Sequence, residues 1–322
     1  KNGKIISQLP FFKESDQVID FQQIKKKKYT KENNLSLLYK ALVTGLKNYM
    51  SKNGFKSATL GLSGGIDSAL SLAIAADSIG PENIFSFFLP SLFTSQSSKT
   101  DALDMSNYIG VKTQEISIEK LRKSVLSHLN PIFKDLEEEV TEENIQSRLR
   151  GLILMAVSNK FNSLLITTGN KSELAVGYST LYGDMSGGYS ILKDVYKTKV
   201  FELSNWRNEN IADEFKVKQI KVIPENIITK EPSAELKFNQ IDKDSLPPYH
   251  ILDRILELLI DENSDLKSII KQGFSKKLVN KIWLMVKNSE FKRYQSVIGP
   301  KVSKMSLSLD RRFPLTNKFN LD

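Results

Sequence analysis

The chain contains no cysteine. Disulfides, thiolate metal sites, cysteine nucleophiles and persulfide chemistry are therefore excluded within it. Histidine is almost missing too: His128 and His250 stand alone, without metal-ligand spacing. No uninterrupted apolar stretch approaches the roughly 20 residues of a membrane helix. Lys1-Asn2-Gly3-Lys4 leads into only a short apolar run, so neither a membrane span nor a secretory signal is expected, and the cytoplasm is the expected compartment. No internal repeat is visible, and the glycine-lysine signature of a Walker A loop and the GxGxxG of a dinucleotide fold are both lacking. What remains is 322 residues, 40% hydrophobic and 26% charged, ample for one large α/β domain or two modest ones. The net charge of +9 raises the question of nucleic acid. The lysines are spread widely, however, and the main run, Lys25 to Lys28, reads as a solvated linker, so no nucleic-acid partner is expected.

Apolar spacing sets out an alternation of elements. Residues 1–20 read as an extended tail with strand candidates on either side of Pro10, at Lys4 to Leu9 and Val18 to Asp20. Leu35, Leu38, Tyr39, Leu42, Leu46, Tyr49 and Met50 recur at helical spacing over 32–52. Strands are expected near 57–62, 84–89, 113–118 and 164–168. Helices are expected near 67–78, 98–109, 119–129 and 142–161, the last after an acidic patch from Asp135 to Glu143. Such alternation implies an α/β fold: a doubly wound parallel sheet whose strand ends, with their loops, lie along one edge. Residues 210–248 look irregular. Helices near 250–262, 265–271 and 275–289 then form a helical C-terminal region. Trp206 and Trp283 fall on apolar helical faces and read as core.

Residues 60–68, Leu-Gly-Leu-Ser-Gly-Gly-Ile-Asp-Ser, carry the sharpest chemical signal. A strand enters a glycine turn that opens a helix, so backbone N–H groups and the positive helix end converge on an anion. Ser63 and Ser68 add hydroxyls. Asp67 would repel a bare phosphate, which points to a nucleotide with Mg²⁺. If the sheet is parallel, three more segments reach the same edge. Pro90 to Ser98 is rich in hydroxyls and either contacts a nucleotide or caps the next helix. Thr167 to Glu173 brings a second carboxylate, which either pairs with Asp67 on a metal or serves as a first-turn helix acid. Gly177 to Tyr189 holds four glycines and interleaved aromatics, suited to a substrate with rings. Lys193, Lys197 and Lys199, and later Lys230, could serve a polyphosphate or lie on a solvated face.

Ser-Gly-Gly-x-Asp-Ser at 63–68 resembles the pyrophosphate loop of the ATP pyrophosphatases, enzymes that split ATP between its α- and β-phosphates. The further series is Pro-Ser at 90–91, Glu-Asn-x-Gln-x-Arg-x-Arg at 143–150 and Thr-x-Gly-Asn-x-Ser-Glu at 167–173. Tyr-Gly-Asp at 182–184 and Lys-Glu-Pro-Ser-Ala-Glu-Leu at 230–236 complete it. Within that superfamily the series resembles the NAD synthetases, over about residues 32–320. Gly183-Asp184-Met185-Ser186-Gly187-Gly188 is similar to the glutamine-dependent subtype, and residues 1–20 to the last strands of its glutaminase domain. The resemblance divides the chain into a tail and linker at 1–28 and a synthetase domain at 29–322, of adenine nucleotide alpha-hydrolase-like fold.

The resemblance implies ATP-dependent amidation of deamido-NAD in a homodimer, through an acyl adenylate, with ammonia as nucleophile. If the full protein carries a glutaminase domain, that domain would supply the ammonia from glutamine; otherwise free ammonia would be the donor. It implies Mg²⁺ on Asp67 and Glu173. ATP would meet Gly61, Ser63, Gly64, Gly65, Asp67, Ser68, Thr168, Lys197, Lys230 and Ser233. Deamido-NAD would meet Asn144, Arg148, Tyr182 and Asp184. Asp67, Asp184 and Lys197 would carry the catalysis. Rival readings are a tRNA-modifying ATP pyrophosphatase, a nucleotide sensor without turnover, and a synthetase domain inactive without its glutaminase half.

Overall fold

Five parallel strands in the order β3-β2-β1-β4-β5 form the centre of the molecule, seen in a computed structural model that describes residues 5–20, 32–307 and 309–316. Helix α1 (Asn34–Asn53) opens the ordered body; the Asn33 side chain accepts the Leu35 N–H at its start, and Gly54 ends it in the left-handed conformation. The units β1 (Ala58–Gly61), α2 (Ile66–Ile79), β2 (Ile84–Phe88), α3 (Gln96–Ile109), β3 (Thr113–Glu115) and α4 (Glu119–Leu129) follow. The long α5 (Val140–Phe161) then leads to β4 (Leu164–Thr167), which pairs with β1 in parallel register, Ala58 opposite Leu164 and Leu60 opposite Ile166. The chain has thus returned to the other side of β1. Between β1 and β4 the strand order reverses, and their loops diverge to leave a crevice at the C-terminal sheet edge.

Both central strands are buried, as a sheet covered on two faces requires. Helix α2 is buried almost throughout, and it packs with α1 and α7 (Lys197–Glu209) in the main core. On the opposite face Ile153, Leu154 and Val157 of α5 meet Phe87, Leu89 and Ile118. Arg207 on α7, fully buried, grips Asp77 on α2 with Nε at 2.6 Å and Nη2 at 3.1 Å, while the Tyr39 hydroxyl on α1 donates to the same carboxylate at 2.8 Å. Removing one partner of such a buried pair costs about 3–5 kcal/mol, because the other charge is left uncompensated.

A short α6 (Lys171–Val176) and β5 (Tyr189–Ser190) lie between β4 and α7. Beyond α7 come α8 (Glu225–Thr229), α9 (Tyr249–Leu256) continued by a π-helical turn, α10 (Leu266–Lys271), α11 (Lys276–Asn288) and α12 (Glu290–Arg293). Apart from α8 and α12, these helices build a second core with α6.

The expected alternation, the parallel sheet and the helical C-terminal region are present, with shifts of a few residues at element ends. Trp206 packs with Tyr39 and Phe215, and Trp283 with Phe313. The strands expected around Pro10 are absent among residues 5–20: Val18 is almost wholly exposed and no neighbouring strand offers hydrogen bonds. Lys4 and the lysine run at 25–28 fall outside the described residues. Strand β5 and helix α7 are additions to the sequence reading. A two-residue strand has no periodicity to detect, and α7 buries Lys197, Ser204 and Arg207 on its inner face, which blurs its polar pattern.

Candidate active site

The crevice between β1 and β4 is filled by the loop after each strand. In the 63–68 loop the Ser68 hydroxyl accepts the Ser63 N–H at 3.1 Å and donates to the Gly65 carbonyl at 2.9 Å; the Ser63 hydroxyl accepts the Gly65 N–H at 3.2 Å. These bonds close a cup at the N-terminus of α2. Gly64 makes the cup possible, for its φ is +81° and a Cβ would overlap the Ser98 carbonyl at the start of α3.

Opposite, Asn170 and Glu173 form a reciprocal cap at the start of α6. Asn170 Nδ2 also donates to Asp67 Oδ1 at 2.9 Å, tying the two loops together. The Lys197 ammonium, from the first turn of α7, lies between the carboxylates of Asp67 and Glu173, the latter at 3.1 Å. Asp242 stands nearby, accepting the hydroxyls of Tyr249 at 2.7 Å and Tyr178 at 3.3 Å. Burial opposes the charge on Lys197, but Asp67 and Glu173 outweigh it and raise its pKa. Burial likewise pushes the Glu173 carboxyl well up, against the pull of Lys197 and with the help of Asp67. Two carboxyl groups pair with one ammonium here, and the charge of Asp242 adds to theirs. That surplus of negative charge suits a divalent cation, and one or two carboxylates beside substrate phosphates are what Mg²⁺ takes. Asp67 and Glu173 fit it. Among the described residues no cage of three or more His, Cys, Asp or Glu side chains converges.

The crevice has two lobes that share Ser63, Thr167, Thr168, Asp184, Ala234 and Glu235. One holds the charged groups just described together with Lys230. The other is apolar, bounded by Gly61, Leu62, Phe87, Leu89 and Leu154, with Arg150 donating to the Leu89 carbonyl at 2.9 Å. Asp184 faces both lobes. Though the residue is exposed on its crevice side, desolvation by the surrounding protein pushes its carboxyl up to about 6, against the Thr180 N–H that it accepts at 2.8 Å.

A family model for NAD synthase matches residues 38–296. The chain belongs to the NAD synthase family. It is 45% identical over 325 residues to a glutamine-dependent NAD(+) synthetase of Rhodobacter capsulatus, across 99% of this chain and 59% of that protein. A glutamine-dependent NAD(+) synthetase of Xanthomonas campestris is 48% identical over 285 residues, across 88% of this chain and 50% of its own length. The solved glutamine-dependent NAD+ synthetase of Acinetobacter baumannii in complex with ADP superimposes with a TM-score of 0.60 at 41% identity, covering 91% of this chain and 52% of that one. The chain thus spans about half to three fifths of the length of these relatives.

Read with the NAD synthase family in mind, the sequence-derived residues fall into place unevenly. Gly61, Ser63, Gly65, Asp67, Ser68, Thr168, Glu173, Asp184, Lys197, Lys230 and Ser233 all line the crevice, and Gly64 shapes it. The solvated-face alternative fails for Lys193 and Lys197, both buried, and holds for Lys199, which pairs with Glu202 on the surface. Ser233 reaches the crevice, but its hydroxyl is spent inside its own loop, donating to the Gln240 carbonyl. Asn144 and Arg148 on α5 face the chain's own glycine loop: Asn144 Oδ1 accepts the Thr180 hydroxyl at 2.7 Å, and Arg148 Nε donates to the Leu181 carbonyl at 3.2 Å. That loop lies so close to α5 that a Cβ on Gly183 would overlap Ser147. Tyr182 is exposed and its hydroxyl donates to Gln295 Oε1 at 2.8 Å.

Four residues were not singled out from the sequence. Asn170, Arg150 and Glu235 lie inside quoted motifs, so their signal was present. Asp242 sits in an irregular stretch with no pattern. Glu235 acts through a contact 140 positions away, accepting the Ser95 hydroxyl at 2.7 Å.

Proposed function

We propose that this chain catalyses the ATP-dependent amidation of deamido-NAD to NAD, releasing AMP and pyrophosphate. The observation that carries the reading is the placement of an anion-binding cup and an acid-ammonium cluster at one end of a crevice whose wall also bears an ionisable Asp184. The apolar lobe would take the adenine of ATP, and the 63–68 cup with Lys197 and Lys230 its phosphates. A nicotinate carboxylate attacks the α-phosphorus, the bond to the β-phosphate oxygen breaks, and pyrophosphate leaves. Ammonia then attacks the acyl carbon and AMP departs. Negative charge grows on the leaving pyrophosphate, and N–H groups and ammonium ions fixed in advance are what stabilise it. Mg²⁺ held by Asp67 and Glu173 would neutralise phosphate charge. Asp184 receives the proton that the attacking ammonia sheds; a carboxyl near 6 is better matched to that transfer at neutral pH than an ordinary one.

In this reading the tail and linker at 1–28 precede a synthetase domain at 29–322, two copies form the working dimer, and a glutaminase domain supplies ammonia from glutamine. Asn144, Arg148 and Tyr182 shape the wall that receives deamido-NAD.

The test is NAD formation from deamido-NAD, ATP, Mg²⁺ and ammonium, by the native chain and by Asp67→Asn. NAD from the native chain, with pyrophosphate release lowered about a thousandfold in the variant, is expected. Pyrophosphate without NAD would leave only the adenylation half of the proposal, ATP binding without pyrophosphate release would favour a sensor, and a salt-sensitive complex with tRNA the modifying enzyme.

A further inference from the structure

Helix α6 is tied down at both ends. Its first turn carries Asn170 and Glu173 into the crevice. The carbonyls at its other end have no partners within the helix, and a single turn of chain more than 110 residues further on receives them. Arg293 donates to the Ala175 carbonyl, the Ser289 hydroxyl to that of Val176 at 3.0 Å, and Lys292 Nζ to those of Gly177 at 2.8 Å and Ser179 at 2.7 Å. Gln295, two residues beyond, accepts the Tyr182 hydroxyl. Gly177 has φ +73°, and a Cβ there would overlap the Ser289 side chain, so no slack remains between this turn and the chain that runs on to Asp184.

We propose that Lys292 is a positioning residue for the reaction assigned above: it fixes the path of the chain from α6 to Asp184 and sets a positive charge near that carboxyl. Its activity readout rests on that reading; its placement does not. Two cations favour the ionised form of Asp184, Lys292 from α12 and Arg150 from α5, together with the backbone N–H groups of Thr180 and Met185. Burial lowers the pKa of Lys292, Asp184 raises it, and Arg148 on α5 opposes its charge. Lys292 therefore acts on Asp184 twice, through the carbonyls of 177 and 179 and through its charge.

The experiment compares Lys292→Met, Lys292→Gln and Lys292→Arg with the native chain. The carboxyl carbon of Asp184 is titrated by ¹³C NMR, its signal assigned with Asp184→Asn. Asp184 is expected to titrate higher in the Met and Gln variants than in the native chain, and near the native value in Arg. NAD formation should fall about tenfold in kcat, with the KM for ATP unchanged and the acid limb of the kcat profile moved up in step with the titration. An unmoved titration in a folded Met or Gln variant overturns the proposal, as does an equal loss of rate at every pH. If Met fails to fold, Gln decides. If both fail while Arg folds, the turn is only structural and the proposal is wrong. If the native chain makes no NAD, the functional reading falls, but the titration still decides the placement.

Discussion

Two loops line the charged lobe, residues 63–68 and residues 230–242, and they are held in opposite ways. The first is closed by its own atoms: the hydroxyls of Ser63 and Ser68 bond to groups no more than five residues away. The second has local bonds too, such as the Ser233 hydroxyl to the Gln240 carbonyl, but it is also strapped across the crevice by distant partners. Glu235 accepts the Ser95 and Ser98 hydroxyls at 2.7 Å each, at the N-terminus of α3. Gln146 on α5 donates to the Leu236 carbonyl at 2.8 Å, and Phe238 meets Phe93 edge to face at 4.8 Å. A loop closed mainly by neighbours keeps its form more readily than one closed from afar, which would suit a rigid anion cup. A loop closed by remote contacts can release them together, which suits a cover over that cup.

Two changes would sharpen or break this contrast, and a third probes the Asp184 loop that faces both lobes. The largest effect is expected from Gly64→Ala. A side chain at φ +81° against the Ser98 carbonyl forces the cup open. Strain of about 1–3 kcal/mol and roughly a hundredfold loss of ATP turnover should follow, read by thermal melts and pyrophosphate release. Unchanged turnover would mean that the cup tolerates deformation. Next comes Glu235→Ala, which removes the carboxylate at the α3 terminus. The KM for ATP should rise about five- to tenfold, matching about 1 kcal/mol at a helix end, while the melting temperature barely moves. Faster proteolysis at 235–240 would show the strap loosened, and a large melting shift would show that it belongs to the fold instead. The smallest change is Asp184→Asn. Asp184 titrates near the ordinary value when unfolded and near 6 when folded, so the native state keeps that proton longer as pH rises. Its stabilising share is present at low pH and is lost as pH rises through about 6. The Asn variant should therefore melt about 2–4 °C higher at pH 7.5, with the gain shrinking below pH 6; the open side of the carboxyl keeps the effect small.

The same contrast explains how much the sequence disclosed. The cup was legible because strand, glycines, hydroxyls and helix lie within nine consecutive residues, and local sterics alone imply the structure. The parallel sheet was legible because apolar runs alternate with helical patterns. Asp67 and Glu173 could be placed on one edge from topology, which is a global rule applied to local segments. The ammonium between them could not. By spacing Lys197 looks like one of three similar lysines; the family resemblance named it, and the packing of α7 under α6 shows why it differs from Lys199 two positions on. Asp242 was hidden as well, and Glu235 appeared only as one letter of a quoted motif, its contact with Ser95 lying 140 positions away. The strand candidates beside Pro10 show the reverse error, for local β propensity means little without a sheet edge to join.

Helix α6 has one more consequence. It is six residues long, about 9 Å of rise, with one end at the acid-ammonium cluster and the other leading to the Asp184 loop. In the proposed reaction it would work as a gauge block between two stations of the chemistry. Adding or removing one residue would alter the gap by about 1.5 Å and turn one station by about 100° relative to the other. Both ends are anchored, so neither could rotate to compensate. Residues 131–138, largely exposed and with no regular element, are under no such constraint. Changes of length in this protein should therefore accumulate in that stretch and be refused by a helix of barely two turns.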